Sequence, residues 1–505
     1  PRIGNPGGYC GVEMLNGRHL PKAVRGHFVL NDYKANSVRR FALKADGSGY
    51  KLEWKEPLLK SNHRNFRPVD VRVGPDGALY IADFYNPIIC HQDDYFRDPT
   101  RDFHHGRIWR LSVKGVQPVP LPKIVGAETK DLLELLKSPE RWTRQKAKDQ
   151  LAQRPVPKTA AAITAWATKL DANDPHHDRH LLEALAACAM MESVQPALLD
   201  RVLRAKDHRA RAFAARIAGR WQDRFQNAES FLGHAANDEH PQVRMEAILA
   251  CGQSTQPSAI KLAAQAVTRH PRDKWIDYAF SQAVFHHERH WRPALTEGRL
   301  DFGSDVRALS AVLQKRGSRD LLKTLLRVAR SPDIDTAARH GIFNGIASIG
   351  GPNELRVIFN RDFHPNPASQ AAAFVALQNA ATSREVKPEG DLKEPLRAAL
   401  KSDNDELRIR ALSLAGEWKV TDLGADVRTL ARDSNPQPVQ IAAVLALGQL
   451  GRVDPLLSSL LQDDKTTMPL KLAALDSMNR VDMSAAVNFG AKMMATGDNT
   501  PEVLE

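Results

Sequence analysis

The sequence is poor in the features that usually announce a redox enzyme or a membrane protein. Its 505 residues include four cysteines, Cys10, Cys90, Cys188 and Cys251, and no two stand in a CxxC spacing. This excludes a disulfide framework, and the missing CxxCH excludes a covalently attached c-type haem in this chain. No apolar run reaches the roughly 18 residues that a bilayer-spanning helix needs. Aromatic residues make up 6%, few for an all-β chain of this length. Gly (30) and Pro (31) stand at ordinary levels, which excludes collagen-like and linker-like chains. With 42% hydrophobic and 26% charged residues, the chain is not disordered as a class.

Residue 1 is Pro, no signal peptide precedes it, and Glu505 follows an apolar segment with no cap. The expectation is a fragment at both ends, so compartment is not readable from a leader. Net charge is +12, and its distribution is uneven. Residues 1–120 hold 19 Lys+Arg and 12 Asp+Glu, a balance of +7, against 52 and 47 (+5) in the other 385. The long part is therefore nearly balanced, which argues against nucleic acid as the main partner.

What fills the long part is a repeat. The segment Val243-Arg-Met-Glu-Ala247 has an apolar anchor, then Arg, then Ala at +4. Its frame recurs from residues 143, 210, 243, 407, 439 and 470, with weaker copies from 180, 275, 306, 337 and 369, and the eleven starts stand at intervals of 30 to 38. Within a copy the apolar positions lie at 0, +4, +7, +8 and +11, as in Val439, Ala443, Ala446, Leu447 and Leu450. That is one face of an α-helix. The small residue at +4 lets two backbones approach, and the Arg after the anchor is expected to keep its head in water while its stem covers the seam. Pro, Asp and Asn cluster before the copies, as in Asp238-Glu-His-Pro241, Asp403-Asn-Asp405 and Asp433-Ser-Asn-Pro436, as helix starts require.

A unit of this length holds two short antiparallel helices that bury their faces only by stacking. The expected fold over residues 121–505 is an all-α solenoid of about eleven copies, similar to short HEAT repeats. Trp142, Trp221, Trp275 and Trp418 are expected in its core. His176-His177, His286-His287 and His290 have no carboxylate or Cys partners at fixed offsets, so surface or inter-helix roles are expected for them.

Residues 1–120 have a different texture. Six segments read as strands: 27–30, 37–43, 50–54, 69–73, 78–82 and 107–112. Gly74-Pro-Asp-Gly77 and Asp46-Gly47 supply the turns. Two units of roughly 40 residues with three or four strands each have the rhythm of β-propeller blades. Two blades cannot close a ring, and an open pair leaves strand edges unpaired. The expectation is the last two blades of a larger propeller.

Polar residues crowd between the last two of these segments: Asp83, Tyr85, Asn86, His91, Asp93, Asp94, Arg97, Asp98, Arg101, Asp102, His104, His105 and Arg107. A long polar insertion of this kind carries function, or an interface, or satisfies itself through ion pairs among Arg97, Asp98, Arg101 and Asp102, with Asp83 capping the turn. Its carboxylates also fit Ca2+ by type, without EF-hand spacing.

Several motifs carry a resemblance. Asn62-His-Arg-Asn-Phe-Arg-Pro-Val-Asp70, Gly74-Pro-Asp-Gly-Ala-Leu-Tyr-Ile-Ala-Asp-Phe-Tyr-Asn-Pro-Ile-Ile89, Arg97-Asp-Pro-Thr-Arg-Asp102 and His105-Gly-Arg-Ile-Trp-Arg110 resemble the membrane-bound dehydrogenase family of planctomycetes and verrucomicrobia. Asn5-Pro-Gly-Gly-Tyr-Cys-Gly11 and Gly17-Arg-His-Leu-Pro21 fit it as well. The resemblance covers residues 1–120 by motif and the rest by architecture. It implies a six-bladed propeller, like that of sugar and sorbosone dehydrogenases, joined to HEAT-like repeats, and often to a c-type haem domain. It also implies pyrroloquinoline quinone and Ca2+ as cofactors, a periplasmic or cell-surface location, and a c-type cytochrome as partner on the solenoid. Related enzymes turn two arginines of an Arg-x-Arg-Asp run toward the quinone. Here the run is Arg67-Pro68-Val69-Asp70, with Arg67 and Asp70 in place and Val69 at the second Arg position. The family's catalytic His belongs to earlier blades. By resemblance, then, the cofactor candidates are Arg67 and Asp70. The candidates for a sugar-like substrate or loop site are Asp83, Tyr85, Asn86, Asp98, Arg101, Asp102, His105 and Arg107. Three functions remain in play: part of a sugar dehydrogenase, a non-catalytic binding scaffold, and a HEAT-type nucleic-acid binder.

Overall fold

In a computed structural model, residues 8–89, 97–303, 305–316, 319–332, 334, 336–432, 434–451 and 453–495 are described. The chain divides into two compact units, residues 1–287 and 288–505.

The first unit begins with a small β region of two antiparallel sheets. The first sheet has the order β1 (Tyr9–Met14), β2 (Phe28–Asp32), β3 (Ser37–Asp46) and β4 (Gly49–Lys60). The second has β5 (Pro68–Val73), β6 (Leu79–Asp83) and β7 (Arg107–Leu111). The pair is open and forms no closed propeller. Six strands lie where alternation placed them, and β1 is the one that alternation missed. Gly11 interrupts β1 in a left-handed conformation (φ +59°), at the bulge between Cys10 and Val12. A Cβ there would lie 2.8 Å from the Asp70 Cα on β5, so glycine lets the two sheets touch. Leu15, Leu20, Val29, Val38, Val71, Leu79 and Ile81 form one buried cluster between the sheets. The 74–77 turn is as expected: Gly74 N donates to Ala78 O at 2.8 Å, and Gly77 takes φ +80°.

The rest of this unit is helical. Its anchor copies fall in the helices Arg141–Ala152, His177–Met190, His208–Trp221, Pro241–Gly252 and Lys274–His286, each start in the first turn. Each of these helices lies against the next. The second unit has the same build, with anchor helices Val306–Lys315, Thr336–Ile349, Pro367–Arg384, Asp405–Glu417, Gln437–Gln449 and Met468–Val481. The caps match the pattern that announced them. Asn404 accepts from Leu407 N, and His240 accepts from Gln242 N ahead of Pro241. Asp433, also expected in a cap, lies outside the described residues.

The seam between repeats is tighter than the +4 alanines alone suggest. Gly219, Gly252, Gly416 and Gly448 all stand nine residues after their anchors. A Cβ on Gly219 would lie 2.5 Å from the Ala250 Cβ, and one on Gly448 would lie 2.6 Å from the Ser477 Cα. The backbones of successive anchor helices meet there.

The Arg after the anchor behaves differently from the expectation. Arg211 and Arg244 are buried, heads included. Arg211 donates to the carbonyls of Ala205 and Lys206, both at 2.9 Å, and reaches the Asp238 carboxylate of the next repeat at 2.7 and 2.9 Å. Arg244 donates to the carbonyls of Asp238, Glu239 and Pro271, all at 2.8 Å. Arg144 does the same with Ser138, Pro139 and Glu183. The reason is the row of unpaired carbonyls at each turn, which a guanidinium satisfies in a fixed fork. The tryptophan expectation also needs correction. Trp221 is fully buried, but Trp275 is partly exposed and lies against Gly49 of the β3–β4 turn. Trp142 lines a cleft of about 530 Å3 with Met14, Val73 and Tyr80. The β region therefore rests on the helices: Asp273 accepts from Ser48 N and Oγ at 2.6 and 2.8 Å, and Glu140 pairs with Arg18 at 2.6 Å.

Candidate functional site

The polar segment after β6 folds back on the sheet around Asp83. This carboxylate is buried and accepts four bonds: Arg67 N at 2.8 Å, Tyr85 N at 3.0 Å, Arg107 Nε at 3.2 Å and Trp109 Nε1 at 3.0 Å. β6 and β7 are paired, with Asp83 opposite Arg107, so the strand register builds the contact. A carboxylate with four donors holds structure and has no free lone pair aimed at solvent.

Tyr85 is held in the left-handed region, with φ +51°, a costly conformation for an aromatic residue. Its ring is fixed on three sides. The Arg107 guanidinium lies 3.7 Å from the ring centroid, His63 stacks at 5.7 Å, and His105 meets it edge-on at 6.3 Å. His63 was not among the candidates, though it stands inside the quoted Asn62–Asp70 motif.

Next to this aromatic cluster opens a cavity of about 700 Å3, lined by Asp83, Asn86, Arg101, Asp102, His105 and Arg107 together with apolar neighbours. Six of the eight loop candidates thus meet at one place. Tyr85 backs it through Arg107. Asn86 Nδ2 donates to Asp102 O at 3.0 Å. Asp102 accepts from His104 N and His105 N, both at 2.9 Å, and from or beside His105 Nδ1 at 2.9 Å. The His104 amide, chiefly, holds the Asp102 carboxyl below the usual carboxylate range. The His105 ring is largely exposed, oriented by Asp102 from its Nδ1 side. Asp98 sits apart on the surface. It accepts from Thr100 N and Oγ1, and the Thr100 hydroxyl is the main cause of its lowered pKa. Cys90, His91, Asp93 and Asp94 lie outside the described residues, as do Asn5, Pro6 and Gly7 of the first motif.

Arg67 and Asp70 do not join the cavity. Each nitrogen of the Arg67 guanidinium is engaged within the protein: Nε with Asn86 O, one terminal nitrogen with Tyr33 O and Asn36 Oδ1, the other with Pro87 O at 2.6 Å. It staples the loop to the first sheet. Asp70 pairs with Arg72 at 3.2 Å beneath the Gly11 bulge. These two residues therefore do not form a pocket for a quinone carboxylate.

Each unit is built of helical repeats, and the first also carries a small β region with a polar cavity beside its second sheet. Residues 195–279 and 394–486 match the family of HEAT repeats. Residues 2–115 match a domain of unknown function, DUF7133. No curated protein matches the chain. Among solved structures, the chain is similar to Kap121p bound to Nup53p, at 13% identity and TM-score 0.40, over 73% of this chain and 47% of that one. It is also similar to Kap95p in its complex with RanGDP, at 14% identity and TM-score 0.37, over 74% and 59%. The chain spans about half the length of the Kap121p structures it matches.

Proposed function

We propose that the chain is a protein-interaction scaffold whose solenoid carries the binding face. One observation carries this reading. On the anchor helices of the first unit, the sides turned away from the buried stripe carry several large apolar residues. Met190, Leu249, Tyr278 and Phe285 are exposed there, Tyr278 at 64% and Phe285 at 54%. Large apolar side chains exposed on three anchor helices of one unit suit a partner protein. The test is site-specific photocrosslinking in cells from Tyr278 and Phe285, with Glu417 as the control. One defined protein adduct from both positions, lost in Tyr278→Asp/Phe285→Asp, is expected. No adduct from either position overturns the reading.

A second reading is favoured by the Asp102–His105 pair beside Arg107. A His oriented by a carboxylate at a cavity mouth is placed to accept a proton from a sugar hydroxyl. On that reading the chain is part of a sugar dehydrogenase of the periplasm or cell surface, with a c-type cytochrome docked on the solenoid. Its quinone and Ca2+ would be held by groups other than Arg67. Dye reduction by aldoses with added quinone and Ca2+, abolished by His105→Ala, would support it. Absence of turnover leaves the scaffold.

A further inference from the structure

A groove of about 1160 Å3 opens between two successive repeats of the first unit. It is formed by the start of the helix His177–Met190, the end of the helix Pro196–Leu203 and the turn into the helix His208–Trp221. Five cations line it, Arg179, Arg201, Arg204, Lys206 and Arg209, against four carboxylates, Asp174, Asp178, Asp200 and Asp207. The carboxylates are spent within the protein. Asp200 holds Arg204 at 3.0 Å, and Asp207 holds Arg209 at 2.8 Å. Asp174 accepts from His176 N, and Asp178 accepts from Asp207 N, both at 2.8 Å. Three cations remain. Arg179 donates to Lys137 O and Arg201 to Ala167 O, both at 3.2 Å, and Lys206 is exposed. Among the described residues, none of the three closes on a carboxylate. Other arginines of this unit do so across the repeat, as Arg211 does on Asp238 and Arg216 on Glu246.

We propose that this groove is the docking site for an extended acidic segment of a partner protein. The charge left over in it is cationic and comes from three places: Arg179 on one helix, Arg201 on the next and Lys206 on the turn that follows. A single small anion does not answer all three, whereas a chain carrying several carboxylates does. Nucleic acid fits less well. Its phosphates follow one another without a break, so some of them would stand against Asp174 and Asp178. A peptide can set neutral residues there and keep its carboxylates for the cations. The inference names the chemistry that the partner offers and rests on the scaffold reading, at a part of the solenoid other than Tyr278 and Phe285.

The experiment uses the full chain and a fluorescein-labelled peptide of alternating aspartate and glycine. Expected at about 50 mM salt are saturable binding by anisotropy, a loss of affinity as salt rises, and slowed amide hydrogen exchange within residues 174–182 and 200–210. Lys206→Glu should weaken binding about tenfold and Arg201→Gln about fivefold, and a lysine–glycine peptide should not bind. The exchange pattern of the unaltered chain needs no variant, so misfolding of either variant leaves the test intact. Absence of saturable binding overturns the proposal, as does binding that leaves exchange in both segments unchanged or that is equal in both variants. Tighter binding of an oligothymidylate of the same length overturns it in favour of nucleic acid. A protein adduct from Tyr278 and Phe285 with no peptide bound removes the groove and leaves the scaffold, whereas peptide bound in the groove without that adduct removes the Tyr278 face alone.

Discussion

In the β region a single carboxylate, Asp83, gathers donors from the chain before β5, from the loop after β6 and from β7. In the solenoid the comparable task is divided. Arg144, Arg211, Arg244 and Arg408 each tie one turn to its own repeat and to the next. The difference follows from topology. A two-sheet platform joins segments far apart in sequence at one place, so one residue comes to serve all of them. A repeat array meets loose carbonyls at successive turns, and in three of the copies Arg144, Arg211 and Arg244 satisfy them from the same place after the anchor. Loss of a hub should therefore be felt across a region, and loss of a clamp should be local.

The comparison can be broken most directly at the hub. Asp83→Ala leaves the Arg107 guanidinium, the Trp109 indole N–H and two backbone amides without their acceptor. It should cost about 3–5 kcal/mol. Near-ultraviolet circular dichroism and thermal melting should report loss of the β region with the helical signal largely kept. A β region that melts unchanged would show that the hub is not one.

A smaller effect is expected at the seam. Ala247→Leu and Ala443→Leu each place a larger side chain at a fully buried +4 position, and each should cost about 1–3 kcal/mol. Gly448→Ala belongs with them, since its Cβ has no room before Ser477. Equal denaturation midpoints for the native chain and all three variants would contradict the register of the stack.

The mildest perturbation is pH. Burial lowers the His364 pKa to about 4, with its Nε2 at 2.8 Å from Ile358 O. Burial, then the neighbouring His208, also lowers His240, whose ring stacks on His208 at 3.6 Å and whose Nδ1 caps a helix by accepting from Gln242 N. In both cases the unfolded chain binds the proton more readily than the folded one. Their contribution is therefore complete above the unfolded His value of about 6.5, and it is lost as pH falls from there toward about 4. Urea midpoints measured across that range should fall, and His364→Gln should flatten part of the slope. An identical slope in the variant would remove His364 from the account.

Much of the solenoid was legible because its information is local. Apolar spacing at 0, +4, +7, +8 and +11 is set by the helix's own period, and all eleven anchors lie in helices. The glycines at +9 carried a readable signal too. Their partners lie a whole repeat away, so only an alignment of the copies would have exposed them. Trp275 and Trp142 were misplaced for a related reason: the β region covers or faces them in place of another helix. In the polar segment the crowding of Asp83 to Arg107 was plain, whereas the division of labour within it was not. Nothing in the order of residues says that Arg67 would turn onto Asn86 and Pro87, or that Tyr85 would be held by Arg107 and His63.

The sequence by itself determined the repeat, its period, its buried stripe and the turns of the β region, because each follows from backbone geometry within a few residues. Only the tertiary structure decided which arginines are clamps and which carboxylate is the hub. Those outcomes depend on which unsatisfied donors and acceptors meet across long separations, and a buried polar group is settled by its partner in space, not by its neighbours along the chain.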